Sequence, residues 1–107
     1  MNNVHEIEQL FSKDLKSPIF IVLANYYYDK RLYQHAQKVC EIGLENDVNN
    51  IEGRYLLAKT LLIKQKIKKA EYSLESILKK QPYHLNATLL LIDIKKSNGA
   101  NKIKISN

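Results

Sequence analysis

The 107-residue sequence predicts an all-α fold of antiparallel helix–turn–helix units stacked into a short α-solenoid. Three observations predict it. First, the chain repeats itself at a spacing of 34 residues: Leu23 and Ala24 return as Leu57 and Ala58, Lys30 as Lys64, Ala36 as Ala70, Glu41 as Glu75 and Leu44 as Leu78. A period of this length marks a stacked array. Second, apolar residues within each period follow helical spacing. Third, only three glycines and two prolines are present, which suits helices and argues against an all-β chain.

Taken in order, the elements build up as follows. Ile7, Leu10 and Phe11 mimic Cys40, Gly43 and Leu44 at an offset of 33 residues, so residues 3–14 read as the second helix of an incomplete unit. In the first whole unit Phe20, Leu23, Ala24 and Tyr27 fall at i, i+3, i+4 and i+7, one face of a helix. After the turn Asp29-Lys30-Arg31-Leu32, the residues Ala36, Cys40, Gly43 and Leu44 form a second apolar face. The next unit copies this with Leu57, Ala58 and Leu61, then Ala70, Leu74, Ile77 and Leu78. Small residues at Ala24/Ala36 and Ala58/Ala70 let the two helices of a unit approach closely. Asn86 to Ser97 reads as the first helix of a third unit, with Leu90-Leu91 matching Leu56-Leu57, and Gly99 is expected to end it. Ile92 replaces the small residue of Ala24 and Ala58, since no second helix follows. The expected organisation is one domain over 1–107: half repeat 3–16, repeat 17–50, repeat 51–84, half repeat 85–98 and tail 99–107.

These residues resemble the tetratricopeptide repeat, in the form found in bacterial multi-repeat proteins. That pattern places a large residue, Leu-Gly or Leu-Ala and an aromatic on the first helix. Alanine, a large residue and Ala-Leu follow on the second helix, with a proline near the end. The first unit supplies Phe20, Leu23-Ala24, Tyr27, Tyr33, Ala36, Cys40 and Gly43-Leu44, with Val48 in the place of the proline. The second supplies Leu57-Ala58, Leu61, Ile67, Ala70, Leu74, Ile77-Leu78 and Pro82. Arg54 and Leu61 depart from the large apolar and the aromatic residue. The resemblance implies a right-handed solenoid that binds protein or peptide on its concave face, as a scaffold or adaptor.

Chemistry leaves little trace. There is no glycine-rich phosphate loop, no paired-cysteine metal spacing and no HExxH motif. His5, His35 and His84 fall in different helices or turns and read as surface histidines. Ser17 and Ser73 have no catalytic partner at a sensible distance, and Glu6, Glu8, Glu41 and Glu45 read as solvated helix-face carboxylates. The single Cys40 lies on an apolar face and reads as a structural thiol. No enzyme activity, catalytic residue, cofactor or metal site is expected. The N-terminus lacks the basic start and apolar core of a secretory signal, and no run approaches the ~20 apolar residues of a membrane span. The expected location is cytoplasmic.

In the family the chain resembles, the first helices of successive repeats line the concave face. The sides of those helices turned from the Leu-Ala face carry Ile21, Asn25 and Tyr28, then Tyr55, Lys59 and Leu62, then Leu89, Asp93 and Lys96. The three rows share one spacing and are the expected partner-binding groove, apolar residues giving contact and polar ones direction. The carboxylate clamp known from chaperone-binding repeats would fall on Ile21, Asn25, Leu56, Asn86 and Leu90. Only Asn25 matches and no cation stands there, so an apolar peptide or amphipathic helix is the better fit. The net charge of +6 keeps a second reading, a basic module contacting nucleic acid, through Lys64, Lys66, Lys68 and Lys69 and the C-terminal Lys79, Lys80, Lys95, Lys96, Lys102 and Lys104. Fifteen of the seventeen basic residues are lysine, whereas specific phosphate recognition draws on arginine. Finally, Leu89 to Ile94 is apolar on more than one face. A weak homodimer through the C-terminal helix is therefore expected, with Leu90 or Ile94 left uncovered.

Overall fold

The computed structural model describes the backbone of residues 3–104 and the side chains of residues 4–97. Six helices follow in order: α1 (Asn3–Lys13), α2 (Ile19–Asp29), α3 (Tyr33–Asn46), α4 (Ile51–Ile63), α5 (Ile67–Lys80) and α6 (Leu85–Lys104). The described residues contain no strand. Each helix packs on the next, and α2 also packs on α4. The result is two helical hairpins, α2–α3 and α4–α5, stacked between single helices. The molecule measures 47 × 30 × 19 Å, and its 15.1 Å radius of gyration exceeds the about 13 Å of a compact chain this long. Elongation is what a stack of neighbours produces.

The repeat is reproduced bond for bond. Arg31 and Gln65, 34 residues apart, both take the left-handed conformation, with φ of 63° and 64°. Behind each, the same pair of hydrogen bonds closes the helix. Leu32 N–H donates to Tyr27 O and Lys66 N–H to Leu61 O, both at 2.8 Å, while Arg31 donates to Tyr28 O and Gln65 to Leu62 O, both at 3.0 Å. This six-to-one and five-to-two pairing satisfies the carbonyls a helix end leaves open. It also turns the chain back within three residues.

The N-termini of α4 and α6 are capped alike, one period apart. Asn50 Oδ1 accepts from Gly53 N–H at 2.8 Å, and at the matching place His84 Nδ1 accepts from Ala87 N–H at 3.0 Å. His84 is therefore half-buried and structural, where the sequence pattern has it as a surface loop residue.

Ala24, Ala36, Ala58 and Ala70 are fully buried, so the close helix contacts fall where the small residues are. Cys40 is buried as expected, and burial pushes its thiol up from 9.0 to about 12. Three expectations change. Leu56, not Leu57, is the buried leucine of the pair. It turns into the core of the preceding hairpin beside Phe20, Leu23 and Cys40, because α4 must satisfy α3 as well as α5. At the other end, Gly99 does not stop α6, which runs through it to Lys104. Ile94 is not uncovered either. It is 5% exposed, packs with Leu74 and Ile77, and has Leu90 and Leu91 half-buried beside it. Among the described residues, the exposed apolar side chains of α6 are instead Leu85, Leu89 and Ile92, which share one helix face at i, i+4 and i+7. Lys102 and Lys104 lie outside the described side chains.

One size exchange distinguishes the hairpins. Phe20 is buried against two glycines, and a Cβ on Gly43 would stand 2.2 Å from its ring, one on Gly53 2.7 Å. The matching residues one period on are Arg54, Ile77 and Ala87. Arg54 leaves the core, its Nε donating to Val48 O at 2.8 Å, and the buried Ile77 occupies the volume instead.

Candidate functional site

The first helices of the hairpins bring the groove residues together. Ile21 and Asn25 of α2, Tyr55 and Lys59 of α4, and His84 and Asn86 at the start of α6 line one cleft of about 210 Å³, with Glu52 and Leu56. They converge because α2 packs on α4 and the His84 cap sets the start of α6 beside Tyr55. The Tyr55 and His84 rings lie 6.0 Å apart.

Lys59 organises the cleft. Its ammonium sits 4.9 Å from the Tyr28 ring centre and 5.4 Å from that of Tyr55. Two aromatic faces attract a cation by their quadrupoles and hold its long side chain in place. Lys59 pairs with no carboxylate among the described residues. Tyr28 meets the Tyr33 ring edge-on at 5.5 Å. Its phenol is pushed up, first by burial and then by Tyr33, Tyr55 and Asp29 around it. Asn25 donates its amide to Ile21 O at 3.0 Å, which ties the side chain to its own helix.

The third row, and Leu62 of the second, separate from the rest. Leu62 and Asp93 line a different cleft of about 310 Å³ with Gln65, Ile67, Leu90 and Ile94. Leu89 and Lys96 are exposed and line neither cleft. The carboxylate-clamp places divide as well: Ile21, Asn25, Leu56 and Asn86 share the first cleft, and Leu90 joins the second. The cation missing from those places enters the first cleft from Lys59. Glu52 and His84 were not among the expected groove residues. The 34-residue match of His84 to the cap Asn50 was the signal that could have located it.

Among the described residues, no group of His, Cys, Asp and Glu could hold a metal ion. Ser73, tested above as a nucleophile, is buried and donates to Arg54 O at 2.8 Å. No described helix is long and apolar enough to cross a membrane. The chain matches no protein-family model, and it matches none of the curated proteins compared with it.

Proposed function

We propose that this chain is a non-catalytic, cytoplasmic protein-interaction module of tetratricopeptide type, holding a peptide or helix of a partner in its concave cleft. The convergence of α2, α4 and the start of α6 on one cleft, with Lys59 held between Tyr28 and Tyr55, carries this reading. Aromatic rings that keep both an apolar face and a polar tip are the residues interfaces favour. The fixed ammonium adds direction, toward a carboxylate or a carbonyl of the partner. The test is affinity capture read by quantitative mass spectrometry, comparing the native protein with the Tyr28→Ala/Lys59→Glu pair. Proteins held by the native chain and lost from the variant, with helicity unchanged by circular dichroism, are the expected result. Equal capture by both would move the site elsewhere.

The reading as a basic module for nucleic acid stands second. The lysine cluster that suggested it is partly engaged: Lys64 donates to Gln34 and Gln37, and Lys68 and Lys95 share Glu71 at 3.9 and 4.0 Å. The weak homodimer also remains part of the proposal, now through Leu85, Leu89 and Ile92. Sedimentation over a wide concentration range should show reversible association that Leu89→Glu abolishes; a strict monomer at high concentration would remove it.

A further inference from the structure

A second surface lies on the outer side of α5 and owes nothing to the concave cleft. Lys68, Lys69, Tyr72, Lys79 and Lys80 stand at i, i+1, i+4, i+11 and i+12, one stripe of the helix, all exposed. At the helical rise the stripe is about 18 Å long. Tyr72, a third of the way along it, is 69% exposed. Along the stripe lie two clefts of about 470 and 250 Å³, and Arg54 and Tyr72 line both. They form one trough with an apolar floor: Leu57 and Leu61 on one side, Val48 and Ile51 on the other. Among the described residues, Glu41 is the only carboxylate lining either cleft. Lys69, Lys79, Lys80 and Arg54 pair with no carboxylate among the described residues.

The preceding hairpin shows why the trough exists. There the matching place is closed. Phe20 turns into the core, and Tyr27 donates its hydroxyl to Glu8 and lies 5.1 Å from the His35 ring. One period later Arg54, Leu61 and Lys69 stand in the places of Phe20, Tyr27 and His35. The apolar lid is gone and cations rim the opening.

An apolar floor with a cationic rim is complementary to a chain that carries apolar residues on one face and carboxylates beside them. We propose that this trough docks an acidic amphipathic segment of a protein partner, its apolar side chains entering the two clefts and its carboxylates meeting the α5 lysines. A nucleic-acid strand would leave the apolar floor unused. It would also find one exposed ring instead of a stacking series, and mostly lysines instead of arginine forks.

Fluorescence anisotropy with three labelled probes tests the proposal: a synthetic helical peptide with leucines on one face and glutamates on the other, the same peptide with serine for leucine, and an oligothymidylate of equal charge. The leucine–glutamate peptide should bind at least about tenfold more tightly than either of the others. Tyr72→Ala and the Lys69→Glu/Lys79→Glu pair should each cost it about tenfold, whereas Tyr28→Ala in the concave cleft should leave it unchanged. Tyr72, Lys69 and Lys79 are exposed, and circular dichroism verifies the fold of every variant. Equal binding of the serine peptide, tighter binding of the oligothymidylate, no binding, or indifference to Tyr72→Ala would each overturn the proposal.

Discussion

Single side chains set the tightest constraints in this molecule. Gly43 has no room for one more carbon, since its Cβ would meet the buried Phe20 ring at 2.2 Å. Gly43→Ala should therefore cost about 3 kcal/mol, the upper end of overpacking, in urea denaturation. Adding Phe20→Leu should return part of that loss, and a neutral Gly43→Ala would contradict the packing. Two other residues give the protein an alkaline limit. Burial, followed by the hydrogen bond to Glu8, pushes the Tyr27 phenol from 10.0 to about 12, and burial pushes the Cys40 thiol from 9.0 to about 12. Both hold their protons more tightly folded than unfolded. Their contribution is complete below pH 9 and is lost as pH rises toward 12. Melting temperature should fall across that window, and Tyr27→Phe should flatten the part of the fall that begins near pH 10. An unchanged profile in Tyr27→Phe would assign the fall to other groups.

At the scale of the helix, termini decide more than propensity does. His84 caps α6 where Asn50 caps α4, and a lost cap of this kind costs about 1 kcal/mol. His84→Ala should lower stability by that amount in thermal melts, while His84→Asn should restore most of it; equal loss in both would deny the capping role. The elements themselves were legible in the residues, because alanine pairs and apolar periods recur at fixed spacing. What escaped was any feature decided by two neighbours at once. Leu56 and Leu57 are adjacent leucines on a helix that packs on both α3 and α5, and helical period alone does not say which face the deeper contact takes. Ile94 is covered by α5 side chains, a contact the local pattern of α6 does not contain. Of the cleft, Ile21 and Asn25 share their spacing with Tyr55 and Lys59 one period on, and these four do line it together. Leu62, Leu89, Asp93 and Lys96 share that spacing yet do not line it, and His84 enters it from a loop.

For the whole molecule, the two proposals use two unlike sides of the stack. One side gathers α2, α4 and the start of α6 around a tyrosine-held lysine, and the other runs along α5 beside Tyr72 and its lysines. The size exchange between Phe20 with Gly43 and Gly53, and Arg54 with Ile77 and Ala87, bears on more than packing. It gives the array a grammar. Phe20 is readable only when a glycine opens the following hairpin at the place of Gly53. In a chain with residues 17–50 written twice, that place would be Ile19, and the ring would have nowhere to go. These two repeats, alike in length and turn, are therefore words that make sense in one order.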